Sequence, residues 1–93
     1  MDKRDIVLND ISERLVSYIL ANWRRYAYLD NSNCINMPLT RIAKEVVNER
    51  VDRATLGQAY SKVRERFRKM GYRVVLKRRW AKNGSTWIEI CRD

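Results

Sequence analysis

Apolar residues recur at three- and four-residue spacing through the first third of the chain. Leu8, Ile11, Leu15, Tyr18, Ile19 and Tyr26 make one stripe, the pattern of a helix with one buried face. The spacing predicts a helix that starts between Asp5 and Asp10 and ends near Tyr28. A second stripe, Val16, Leu20, Trp23 and Ala27, falls about 100° around the same helix, given about 100° per residue. A surface helix of a monomer needs only one. Either the chain's own loop or hairpin covers the second stripe, or a second copy does, across a dimer interface of Val16, Leu20 and Trp23.

Asp30-Asn31-Ser32-Asn33 is a turn of residues that bond their own backbone. Cys34-Ile35-Asn36-Met37 alternates as a small edge strand would, and Pro38, which cannot donate to a sheet, ends it. Thr40 is a suitable N-cap for a second helix that buries Leu39, Ile42, Ala43, Val46 and Val47 and ends around Arg50. Asp52 caps a third helix, where a carboxylate also suits the positive end of the helix dipole. Its buried face is Leu56, Tyr60, Val63, Phe67 and Met70. Ala54, Gln58, Ser61, Lys62, Glu65, Arg68 and Lys69 lie opposite, and Arg53, Arg64 and Arg66 lie on the flanks. Gly71 is the C-terminal stop.

Tyr72 to Trp80 and Thr86 to Arg92 read as strands joined at Lys82-Asn83-Gly84. Asn-Gly suits a two-residue type I′ turn, but that register would set Ile88 beside Arg79 and Ile90 beside Lys77. A three-residue loop places Leu76 opposite Ile90 and Lys77 opposite Glu89. It keeps the apolar set on one side, so it is the preferred expectation.

Charge changes the picture. Residues 1–52 hold 8 Lys/Arg and 8 Asp/Glu, whereas residues 53–93 hold 12 and 3, so the whole formal excess of +9 belongs to the third helix, the hairpin and the tail. Folding alone tends to disperse like charges, so such segregation points to a polyanionic partner. Glu65 is the only acid amid Lys62, Arg64, Arg66, Arg68 and Lys69, so ion pairing along the helix does not explain the run. A solvated helix face is the plain alternative. The 93 residues suggest a single domain, 1–93, with a modest core and too little chain for an enclosed substrate pocket. Apolar runs are short, so no membrane span is expected. The start Met1-Asp2-Lys3-Arg4-Asp5 lacks a signal-peptide apolar region, so an intracellular protein of cytoplasm or nucleoid is expected. There is no His, and two Cys alone make no zinc site. No enzyme activity, cofactor, metal or small-molecule ligand is expected.

The order of helix, short strand, helix, helix, strand, loop, strand resembles the winged-helix branch of the helix-turn-helix DNA-binding proteins. The likeness is carried by Leu39-Thr40-Arg41-Ile42-Ala43-Lys44-Glu45-Val46, by Val51-Asp52-Arg53-Ala54-Thr55-Leu56, and by Phe67-Arg68-Lys69-Met70-Gly71-Tyr72. It covers roughly residues 8–92 and is specific for fold rather than subfamily. In place of the usual tight Gly-containing turn between the two central helices stands Asn48-Glu49-Arg50. The resemblance implies an α+β fold of three helices, a short first strand and a C-terminal hairpin wing. It also implies a sequence-specific binder of double-stranded DNA, a transcription regulator, with recognition helix 52–70 in the major groove and wing 72–92 on the flanking backbone or minor groove.

On that footing Arg53, Gln58, Ser61 and Lys62 are the candidates for reading bases. Arg64, Arg66, Arg68, Lys69, Arg73, Lys77, Arg79 and Lys82 are the candidates for phosphates. Trp80 and Trp87 are either a packed pair closing the hairpin or a stacking platform for unpaired bases. The same order lays the first strand antiparallel to the last, turning Cys34 and Cys91 to one outer side. They would then be a cross-strand disulfide, or two free thiols in a reducing compartment. Two other functional readings stay open: a single-stranded DNA or RNA binder, and a basic protein-interaction subunit of a nucleic-acid machine.

Overall fold

The first apolar stripe forms the helix its spacing predicts, α1 (Lys3–Ala21), with Leu8, Ile11, Leu15 and Ile19 buried. The structure, a computed structural model, describes residues 3–47, 51–79 and 85–92, the side chains of residues 3, 4, 78 and 79 excepted. The helix does not run on to Tyr28. Asn22 leaves helical geometry (φ −113°, ψ 20°), and both its backbone N and its side-chain Nδ2 donate to Tyr18 O, at 3.0 and 2.8 Å. A separate turn of helix, α2 (Trp23–Tyr26), follows. Four helices rather than three are therefore seen among the described residues.

The break turns the second stripe inward. Trp23 is 5% exposed and Val16 4%, while Leu20 remains 45% exposed. The Trp23 indole Nε1 donates to Ser32 O at 3.0 Å, and its ring meets Tyr72 edge-on at 5.9 Å. The chain itself covers Val16 and Trp23, one of the two readings of the stripe, and leaves Leu20 exposed.

The Asx turn forms as expected, with Asn33 N donating to Asn31 Oδ1 at 3.1 Å. It leads into β1 (Cys34–Pro38), an edge strand. Next comes α3 (Leu39–Val46), which buries Leu39, Ile42 and Ala43 and ends earlier than Arg50. Its N-cap is Pro38, not Thr40. The Thr40 hydroxyl instead accepts from Thr86 N at 2.9 Å, tying α3 to the sheet. The Asn48-Glu49-Arg50 connection lies outside the described residues. Helix α4 (Arg53–Lys69) is capped by Asp52, whose carboxylate accepts from Thr55 N at 3.1 Å. It buries Ala59, Tyr60, Val63 and Phe67. Leu56 is only half-buried and Met70 is 43% exposed, so the buried face is shorter than the spacing predicted. Gly71 takes φ +91°, a left-handed geometry that stops the helix at little cost for glycine.

The sheet is antiparallel, in the order β1-β3-β2, with β2 (Arg73–Arg79) and β3 (Ser85–Cys91) forming the hairpin. The register differs from the expected one. Leu76 pairs with Ile88 and Val74 with Ile90, where Leu76 opposite Ile90 was expected, and residues 80–84 lie outside the described residues. The reason lies in the central strand, which must match both neighbours. Met37–Ile88–Leu76 and Ile35–Ile90–Val74 become apolar rows across all three strands. The tighter loop would have set Arg78 beside Ile88. Because the slip is two residues, each side chain keeps its predicted face. On the outer face Cys34 pairs with Cys91 at a Cα separation of 4.1 Å, and the two are disulfide-bonded.

The inner sheet face packs on α3 and α4, and α1 packs on those two helices, around a core that includes Phe67, Leu15, Ile19, Met37 and Ile42. Helices α1 and α4 run parallel, since Lys62 meets Asn9 and Arg66 meets Glu13, one turn farther along both helices. Among the described residues no helix is long and apolar enough to cross a membrane.

Candidate nucleic-acid interface

Helix α4 carries most of the candidate residues, and α1 divides them into two groups. A wheel drawn on α4 alone places Lys62 on the face opposite the core, but it cannot say where a neighbouring helix lies. In the structure Lys62 Nζ donates to Asn9 Oδ1 at 2.9 Å. The Arg66 guanidinium holds both carboxylate oxygens of Glu13, at 2.9 and 3.2 Å. Lys62 and Arg66 therefore line a groove against α1, with Ser12, Glu65 and Lys69 beside them. Neither is an unengaged cation. The Arg66–Glu13 pair is half in solvent, where such a pair is worth at most about 1 kcal/mol, so α1 holds Arg66 without fixing it.

The flank of α4 turned away from α1 is different. Successive residues at about 100° place Arg53, Gly57, Ser61, Arg64 and Arg68 along one side, with Gln58 and Ala54 next to them. Arg53, Gln58 and Arg68 are exposed, and Ser61 and Arg64 are half-buried. Among the described residues no ion pair engages Arg53, Arg64 or Arg68. Arg64 Nε is buried and finds no hydrogen-bond partner there, and a buried polar group without a partner usually costs free energy. The arrangement presents guanidinium forks, which suit paired oxygens, beside a neutral amide and a hydroxyl. Gly57 leaves open space above the backbone, with nothing within 4 Å of where a Cβ would sit.

The hairpin adds Arg73 and Lys77, both exposed on the outer face. Arg73 pairs with Cys91 and Lys77 with Trp87 in the ladder. Arg79 sits in β2 opposite Ser85, with its side chain outside the described set. Lys82 and Trp80 lie outside the described residues, so the expected pairing of Trp80 with the half-buried Trp87 does too. The outer face also carries a Tyr28 hydroxyl donating to Glu89 Oε2 at 2.7 Å. That bond occupies the one acid of the hairpin strands.

Two tyrosines are perturbed in the interior. Burial pushes the Tyr60 phenol up, and a hydrogen bond with the Thr40 side chain works against that. The Tyr18 phenol is raised chiefly by its hydrogen bond to Tyr26, at 3.3 Å, and then by burial. Neither belongs to the charged flank.

Sequence reading missed one grouping altogether. Arg24, Arg25 and Arg92, far apart in the chain, line a concavity at the α1–α2 junction together with Leu20 and Trp23. The unpredicted break at Asn22 creates it. Among known proteins, no family model, curated protein or solved structure matches the chain.

Proposed function

We propose that the chain is a winged-helix protein that binds double-stranded DNA, with α4 in the major groove and the β2–β3 hairpin on the flanking backbone, and that it regulates transcription. The observation that carries this reading is the split of α4. One flank is tied to α1, and the other holds Arg53, Arg64 and Arg68 without acid partners among the described residues. A row of guanidinium groups on a capped helix, without acid partners among the described residues, is suited to phosphates, which supply most of the affinity in DNA binding. Gln58 and Ser61 lie along the same exposed side, and Gln can bond both N6 and N7 of an adenine in the major groove. The three-stranded order places the hairpin directly after α4 through Gly71, as a wing requires.

In this reading Lys62 and Arg66 are positioning residues that seat α4 against α1, and base reading falls to Arg53, Gln58 and Ser61. Phosphates go to Arg64, Arg68, Lys69, Arg73 and Lys77, joined by Arg79 and Lys82 from the hairpin end. Selection of bound duplexes from a random pool, followed by methylation interference, tests it. The reading predicts a recovered site in which methylation of major-groove purine positions blocks binding. Recovery of no common sequence, or interference confined to the minor groove, would contradict α4 as the reading element.

A further inference from the structure

A second basic surface lies away from the proposed reading flank. At the α1–α2 junction Leu20, Ala21, Asn22, Trp23, Arg24, Arg25 and Arg92 line one open concavity. It carries three guanidinium groups and, among the described residues, no carboxylate. The Arg92 guanidinium stacks over the Trp23 ring at 4.6 Å, and Arg25 lies 5.7 Å from the Tyr26 ring. These cation–π contacts hold two of the three forks in place before any ligand arrives. Leu20 is 45% exposed in the same lining.

Its position separates it from the DNA-reading end. Because α1 and α4 are parallel, the C-terminal end of α1 lies at the C-terminal end of α4, where Trp23 meets Tyr72. Gln58 lies twelve residues before Met70, about 18 Å along the helix at about 1.5 Å per residue. The tip of the hairpin is likewise remote. From Arg73 to Arg79 the strand covers about 20 Å at about 3.3 Å per residue. The concavity is therefore remote from Gln58 and from Arg79, while Arg73, opposite Cys91 in the ladder, lies near Arg92.

We infer that this concavity is a docking site for an acidic peptide segment of a partner protein, one that carries a bulky aliphatic residue among its carboxylates. Charge complementarity selects the partner. Planar forks suit carboxylates in pairs, and the exposed Leu20 gives an apolar side chain somewhere to pack, which a nucleic-acid backbone does not use.

The test uses the full chain and a fluorescein-labelled synthetic peptide of glutamates interrupted by leucines, followed by anisotropy at physiological salt. The inference predicts saturable binding. It predicts a loss of about tenfold in the Arg24→Glu/Arg25→Glu variant, since two lost pairs at up to about 1 kcal/mol each span the about 1.4 kcal/mol that is tenfold. The Arg53→Glu/Arg68→Glu variant should bind the peptide as the wild type does. A peptide with every leucine replaced by serine should bind more weakly. Amide shift mapping on the wild type, which needs no variant to fold, should place the peptide at residues 20–25 and 92. The inference is overturned by no binding, by shifts on α4 instead, by equal binding of the serine peptide, or by no effect of Arg24→Glu/Arg25→Glu in a folded variant. A labelled duplex is titrated in parallel. A protein that binds peptide but no duplex keeps this inference and loses the DNA reading. If Arg24→Glu/Arg25→Glu weakened duplex binding as much as Arg53→Glu/Arg68→Glu did, the concavity would belong to the nucleic-acid surface and the inference would fail.

Discussion

Gln58 and Arg68 sit on the same exposed side of α4 but would do different work, and single substitutions separate the two. Gln58→Ala should lose about 1–3 kcal/mol on the preferred duplex, the usual worth of a base contact, and almost nothing on random duplex. Arg68→Glu should weaken all duplexes alike and flatten the salt dependence by about 0.9 in log–log slope. Anisotropy on both duplexes over a salt series reads both effects. Equal losses for Gln58→Ala on the two duplexes would remove it from readout. Arg66 is the instructive contrast. Its sequence position gives it a place among the phosphate contacts, whereas its guanidinium is occupied by Glu13. Arg66→Ala should therefore cost at most about 1 kcal/mol of stability and change duplex affinity less than Arg68→Ala. Tyr60 offers a test of the interior. Its folded pKa is raised by burial, so the folded state holds the phenolic proton more tightly than the unfolded state. The associated stability is complete below the unfolded value of about 10 and is lost as pH rises through the folded value. Urea unfolding at increasing alkaline pH should show this fall, and Tyr60→Phe should show less of it than the wild type.

The elements differ in how readily the sequence gives them away, and the difference has a physical basis. Strand faces depend only on parity, so the outward turn of Cys34 and Cys91 and the inward turn of Ile88 and Ile90 could be read from alternation. The hairpin register depended on a third strand that no hairpin rule includes, and it moved by two. The Asp52 cap and the Gly71 stop were legible because each satisfies its own local backbone. The end of the first helix was not. A helical wheel treats Asn22 as one more polar position, whereas its backbone leaves helical geometry and α1 ends beside it. With that break the apparent dimer stripe becomes a core residue, Trp23, and an exposed one, Leu20. Trp23→Ala should accordingly cost about 3–5 kcal/mol, as for a large buried aromatic, while Leu20→Glu leaves the thermal midpoint nearly unchanged. A thermal melt of each variant distinguishes a core role from an interface role.

The disulfide belongs to the same scale, because it staples the edge strand β1 to the last strand across 57 residues of chain. A closed loop of that length is worth about 4 kcal/mol in the chain-entropy account. Cys34→Ser should lower stability by that order in urea titrations, and a reductant should lower the wild type to nearly the same level. An unchanged wild type under reductant, with both thiols then alkylated, would show that the bond contributes no stability.

Across the whole molecule the charge is divided as the sequence foretold, with the formal excess confined to residues 53–93. The structure adds a direction to that division. Helices α1 and α4 run parallel and the hairpin follows α4, with Lys62 and Arg66 held by Asn9 and Glu13 of α1. The arginines of the α1–α2 junction form a separate end. The central claim is that the uncovered flank of α4 and the hairpin bind duplex DNA. The most direct measurement is a competition titration in which labelled duplex bound to the wild type is displaced by unlabelled duplex, single-stranded DNA and RNA, repeated over a salt series. The account predicts that duplex competes best. It also predicts a log–log salt slope of about −5, for about six phosphate contacts at about −0.9 each, reduced in Arg53→Glu/Arg68→Glu. Single strands or RNA competing as well as duplex, or a slope near zero, would contradict it.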